Sequence, residues 1–229
     1  MMENLIIVGL SRTANHVLSF VRSHNLYNVI GFAVNAQYKT CDTYEGLPVY
    51  TLENLHEECT CEFKVFVALL WNHLNRDRKS VYDYCKSQGY VMANLISPNA
   101  NVRGKIEGDN CWIHDFVVIQ NNARIQSDVI IMAFTLIGAN SVIEPHCFFG
   151  ARSLLAGGCH VGAQTFVGMN ATIFDDTKVG TKCIVGACAV VKRHMPDFSK
   201  CTTSSEHIVV KQYQEDEVEE KLVFSKNVR

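Results

Sequence analysis

Every sixth residue from Ile113 to Val191 is apolar, and most of them are β-branched. The series runs Ile113, Ile119, Ile125, Ile131, Ile137, Ile143, Phe149, Leu155, Val161, Val167, Ile173, Val179, Val185 and Val191. Two places before each anchor the residue is small, as at Cys111, Ala123, Thr135, Ser141, Cys147 and Cys159, with Val117 and Val129 the exceptions. Neither a helix of period 3.6 nor a strand of period 2 keeps every sixth position apolar while the others vary. A strict six-residue period predicts a parallel β-helix of hexapeptide repeats, in which three flat rungs close one triangular coil. Anchors then point inward, small residues fit beside them, and stacked coils bury a core that one coil cannot. Glycine follows the anchor at Gly138, Gly150, Gly162, Gly168, Gly180 and Gly186, where we expect it to serve turns of positive φ.

Ahead of Pro98 the pattern is different. "NLIIVGL" from Asn4, "NVIGFAV", "KVFVALL" from Lys64 and "VMANLI" read as four buried strands. "RTANHVLSFVRSHN", with Ala14, Val17, Leu18 and Val21 on one face, and "NRDRKSVYDYCKSQGY", stopped near Gly89, read as helices. This alternation predicts a small open parallel sheet. The division that follows is 1–98 for the α/β part, 99–200 for the repeats and 201–229 for a charged tail.

Composition narrows the field. With 48% hydrophobic and 19% charged residues the chain has the balance of a globular protein with ample core. A net charge of −2 offers no basic face for nucleic acid. No apolar run approaches a membrane span, and the start lacks the basic region of a signal peptide, so we expect a cytoplasmic protein that acts without a membrane. The ten cysteines include no CxxC. Four of them (Cys111, Cys147, Cys159 and Cys183) fall at the small inward position, where a thiol acts as a compact hydrophobe. Neither disulfides nor a metal are expected.

The segments "LIIVGL", "NVIGFAV", "YEGLPVYTLENL", "SVIEPHCFFG", "HVGAQTFVGMNATI" and "KVGTKCIVGACAVV" resemble the nucleotide-sugar acyltransferases of the sialic-acid and bacillosamine pathways. The resemblance covers nearly the whole chain. It implies an α/β Rossmann-like domain followed by a left-handed parallel β-helix, assembled as a homotrimer with acetyl-CoA between neighbouring β-helices. It also implies N-acetylation of a nucleotide-linked amino sugar, of the 4-amino-4,6-dideoxy type, in surface-glycan (O-antigen) biosynthesis. O-acetylation, transfer of a longer acyl chain, and a non-catalytic scaffold stay open at this point.

Carried over by position, the family's catalytic histidine falls on Pro145, its following acid on His146, and a second histidine on Leu154. The standard base is therefore missing. His146 lies three residues past its anchor, at a corner expected to face solvent or a neighbouring subunit. Asp128 occupies the same corner one coil earlier and Gln164 one coil later, so Asp128 or Glu144 is expected to support His146 as base. His114 and His160 are the rivals. For the cofactor, Gly168, Gly186 and Ala187 are the expected contacts, with Lys182, Lys192 or Arg193 toward the phosphates. For the nucleotide sugar they are Gly9, Ser11, Arg12 and Asn35, although "VGLSRTANH" keeps only one glycine of the family's turn and "VNAQ" lacks its acidic pair.

Overall fold

A computed structural model describes residues 2–203, so most of the expected tail lies outside the described residues. The first part is a sheet of five strands: β1 (Asn4–Val8), β2 (Asn28–Val34), β3 (Thr43–Tyr44), β4 (Leu47–Thr51) and β5 (Lys64–Val67). Its order is β3-β4-β2-β1-β5, parallel throughout except for the short β3–β4 hairpin. Helix α1 (Arg12–Ser23) starts at Ser11, whose side chain accepts the Ala14 N–H at 3.4 Å and closes one of the helix's free donors. It buries Ala14, Val17, Leu18, Phe20 and Val21, the stripe that its spacing predicts. A short α2 (Leu55–Glu58) and a longer α3 (Arg76–Ser87) complete this part.

The expected fourth strand, "VMANLI", is divided between the two parts. Met92 makes only an isolated bridge to Val65, and Leu95–Ile96 is already the first rung of the β-helix, paired with Trp112–Ile113. The coils thus begin before Pro98 and run to Lys200–Cys201.

From Leu95 on, two-residue rungs stack in parallel on three faces. The first face includes Trp112–Ile113, Ile130–Ile131, Phe148–Phe149 and Phe166–Val167. On the second face lie Val118–Ile119, Leu136–Ile137, Leu154–Leu155 and Val190–Val191. Arg124–Ile125, Val142–Ile143, His160–Val161 and Lys178–Val179 form the third. These stacked parallel sheets fit a left-handed β-helix. The anchors are all buried, with the small residues beside them in one continuous core.

The glycines act differently from expectation. Positive φ falls two residues later, at the corners, on residues such as Phe116 (59°), Asp128 (58°), His146 (63°) and Lys182 (52°). Of the corner residues only Gly158 is a glycine with positive φ. The glycine after the anchor is needed for a close approach instead: a Cβ on Gly162 would sit 2.6 Å from the Gly180 and Thr181 backbone. Coil-to-coil spacing, not backbone handedness, selects glycine there.

The two parts share one core. Trp112, Ile130 and Phe148 point out of the first face and pack with Leu5, Ile7, Phe20, Phe32 and Phe66. The Trp112 ring meets Phe20 and Phe66 edge-on at 5.7 and 6.1 Å. Burying several aromatics of this size fixes the sheet against the coils, at about 25 cal/mol per Å² of apolar area removed from water.

Candidate active site

His146 and Asp128 meet as their eighteen-residue spacing predicts. His146 Nδ1 is 2.9 Å from Asp128 Oδ2. Their surroundings differ from the expectation of an open corner. Helix α3 lies over it, and His146 is only 8% exposed. Arg78 Nε donates to both oxygens of Asp128 at 3.0 Å, and Asn110 Nδ2 donates to Oδ1 at 2.7 Å. Both Arg78 and Asp128 are fully buried. The other Arg78 nitrogens donate to the backbone oxygens of Leu70, Asp128 and Cys147 and to Asn75 Oδ1. Tyr82 packs edge-on against the His146 ring at 5.5 Å. One coil up, Gln164 Nε2 donates to the Leu74 carbonyl. This corner is where the α/β part is bolted to the β-helix.

Glu144, the alternative partner for His146, belongs to another histidine. Its Oε1 lies 2.7 Å from His160 Nε2, while its Oε2 accepts the Ala163 N–H at 2.9 Å. This pair sits on the third face, its side chains 45% and 33% exposed. Pro145, between Glu144 and the buried corner, has no proton to give.

His114 is enclosed between α1 and the first coils, against Trp112 at 4.3 Å and His16 at 5.3 Å. Burial, helped by His16, pushes its pKa down to about 4, so it is neutral at pH 7. Its Nε2 and the Trp112 indole N–H are buried without partners among the described residues. Burial pushes the Cys111 and Cys147 thiols up to about 12, so they are protonated packing groups.

At the carboxyl ends of the strands the expected nucleotide contacts do come together. Gly9 follows β1 with φ 128°, its N–H bonded to Ala33 O, and no atom comes nearer than 3.5 Å to a Cβ built there. Ser11 caps α1 and Arg12 is exposed in its first turn. Asn35, after β2, is tied by its Nδ2 to Glu53 Oε1 at 2.9 Å, and Glu53 Oε2 accepts the Ala36 N–H at 3.0 Å. Burial would raise the Glu53 pKa, but the hydrogen bonds from Asn35 and Ala36 hold it below the ordinary carboxylate range. Glu53 thus puts a carboxylate beside β2 where "VNAQ" has none. It was legible only as part of "YEGLPVYTLENL", 18 residues from Asn35. A helix N-terminus beside the central strand, at the carboxyl edge of an open sheet, suits a phosphate-bearing ligand.

Of the expected cofactor contacts, Gly168, Gly186 and Ala187 lie together at the end of the first face, and Lys192 lies apart from them. Gly168 is buried, and its lack of a Cβ is explained by the Ala187 N–H only 2.5 Å from where one would be. Ala187 is exposed at the corner between the first and second faces. Lys192 lies past the second face, its Nζ 5.7 Å from the Phe174 ring centroid. Gly186 is half-buried beneath Thr202. A groove of about 1020 Å³ opens at the far, amino edge of the sheet, lined by Asn4, Asn28, Cys59, Glu62 and Tyr90 and by none of the expected site residues.

No protein-family model and no curated protein matches this sequence. Solved structures do. A variant of perosamine N-acetyltransferase from Caulobacter crescentus, in complex with CoA and GDP-perosamine, superposes with TM-score 0.76 at 23% identity, over 89% of this chain and 99% of that one. The acetyltransferase domain of PglB from Neisseria gonorrhoeae, in complex with acetyl coenzyme A, gives 0.76 at 20% identity over 89% and 100%. WeeI from Acinetobacter baumannii gives 0.68 at 18% over 86% and 95%. The chain has the fold of the hexapeptide-repeat sugar N-acetyltransferases. The likeness takes in the α/β sheet and the coils together, and it covers each of those proteins almost end to end.

Proposed function

We propose that this chain is an acyltransferase that moves the acetyl group of acetyl-CoA onto the amine of a nucleotide-linked amino sugar. The observation that carries the reading is the shared architecture across nearly nine-tenths of the chain with one enzyme crystallised with CoA and GDP-perosamine and another crystallised with acetyl coenzyme A. The α/β part is read as Rossmann-like. Gly9, Ser11, Arg12 and the Asn35–Glu53 pair hold the nucleotide, with the phosphates at the start of α1. The neutral sugar amine attacks the thioester carbonyl carbon, and the C–S bond breaks to release CoA. Backbone N–H groups along the coils are the donors for the oxyanion.

The reading includes a homotrimer in the cytoplasm, serving surface-glycan synthesis. Above Asn101 the outward residues of the second face are Val118, Leu136, Leu154, Thr172 and Val190, with stacked Phe116 and Phe134 at its edge. The third face carries Lys105, Arg124, His160 and Lys178, with Val142 its one apolar outward residue. An apolar face this long on a monomer calls for a partner, and a groove lined by two copies would join Ala187 of one to Lys192 of the next.

The test is thiol release from acetyl-CoA with a panel of GDP-, UDP- and dTDP-linked 4-amino sugars, alongside sedimentation. Release with one panel member, and mass-spectrometric detection of its N-acetyl product, supports the reading. An intact oligomer that releases no CoA with any of them defeats it and leaves the scaffold reading.

A further inference from the structure

We infer that His160, oriented by Glu144, is the group that takes the proton from the acceptor amine; this rests on the acetyl-transfer reading above. Acylation of an amine leaves a proton that must go somewhere, and an imidazole near neutral pH is suited to accept it. A useful base needs a fixed ring, a free nitrogen and room for two substrates. His146 has the first, but it lies under α3 with Tyr82 against its ring and a side chain 11% exposed. His114 is sealed beneath His16 and beside Trp112. His24 is bound to Asp115 in the seam under α1, its side chain 13% exposed.

His160 has all three. Glu144 is held at one oxygen by the Ala163 N–H and receives His160 Nε2 at the other, so the carboxylate is anchored before it orients the ring. Nδ1 of His160 makes no hydrogen bond among the described residues, and the ring stands on an open face with Val142 and Lys178 as its ladder neighbours. Lys178 brings a positive charge to the same face, and its N–H is bonded to His194 Nδ1. The third face adjoins the apolar second face across the corner that carries Asn140 and Gly158. In the step itself the amine nitrogen bonds to the acetyl carbon and one N–H proton passes to His160 Nδ1. The C–S bond then breaks, and the imidazolium returns the proton to the CoA sulfur. Amine and acetyl-CoA become amide and CoA–SH, with nothing left over. Glu144 touches no substrate and is a positioning residue.

The experiment uses the full-length chain with the panel sugar that gives turnover. His160→Gln should lower kcat by about 10²-fold or more while the KM for acetyl-CoA stays within about threefold. Glu144→Gln should lower kcat at least about tenfold, again with little change in KM, a split that loss of packing would not produce. His73→Gln, which breaks an exposed His–Asp pair that shares no residue with His160 or Glu144, serves as control and should leave kcat unchanged. Both test residues are half-buried at the surface, so thermal melting should stay close to the parent's; a variant that melts early is replaced by His160→Asn. Near-parental kcat in both His160 variants overturns the assignment while the acetyltransferase reading stands. So does a loss of kcat in a well-folded His146→Gln variant with His160→Gln active. Absence of CoA release by the parent chain removes the function, and this assignment with it.

Discussion

Substituting Asp128 by Asn tests the claim that the α/β part is held to the coils by a buried ion pair. The change keeps shape, and Asn tolerates the positive φ of 58° at this corner, so backbone strain does not enter. What changes is chemistry. Asp128 accepts from Arg78 Nε at 3.0 Å on both oxygens, from Asn110 at 2.7 Å and from His146 at 2.9 Å. An amide has one acceptor oxygen, and its NH₂ would face donors. Arg78, with 0% of its side chain exposed, would be left charged and without a counter-ion. Removing one partner of such a pair costs about 3–5 kcal/mol, and no discount for solvent screening applies at zero exposure. For a chain of this size each kcal/mol lowers Tm by roughly 2–4 °C, so a drop of roughly 6–20 °C is expected by scanning calorimetry. Combining it with Arg78→Met should cost less than the two single changes added together, by at least about 1 kcal/mol, because each single variant strands the other partner. A Tm within about 2 °C of the parent, or strict additivity, would refute the reasoning.

Three other outcomes follow from the same geometry. His114 binds a proton only near pH 4 when folded but near its ordinary value of 6.5 when unfolded. The unfolded chain therefore takes up protons first, and stability present above pH 6.5 is lost as pH falls toward 4, by roughly 3 kcal/mol at 1.36 kcal/mol per unit. Urea titrations of His114→Leu at several pH values should show this part of the slope gone. Gly162→Ala puts a methyl 2.6 Å from the next coil's backbone and should cost about 2–3 kcal/mol; Gly46→Ala, with open space but φ 75°, should cost about 1. Leu154→Glu on the apolar second face should convert the proposed oligomer to monomer by sedimentation while the circular dichroism spectrum stays unchanged.

The architecture was legible because it repeats. A core position that recurs every six residues is written into the chain again and again, so Ile113 to Val191 declare the coils without any long-range information. The Asp128–His146 contact was legible for the same reason, being one coil apart. What covers that contact was not. Arg78 lies fifty residues from Asp128, and nothing in "RDRKSVYDYCKS" says that its arginine ends inside a seam. The same limit hid Glu53 beside Asn35. Glu144 and His160 stand sixteen residues apart, off the coil repeat, so matching like corners would pass over them. The corners misled in another way. Positive φ usually announces itself by glycine, but here closure of the coil imposes it on Phe116, His146 and Lys182.

Because α3 grips a single corner, the β-helix tolerates changes in length only in certain quanta. Loss or gain of eighteen residues between Asp128 and the upper coils would shorten or lengthen the column and leave every face where it was. Loss of six would preserve the anchor rhythm and still turn everything above it by a third of a revolution. Each face above the loss would then stand where its neighbour stood, with the basic third face in the place of the apolar second face relative to α3. A hexapeptide is the unit of folding in this protein, but three of them together are the unit in which its evolution can count.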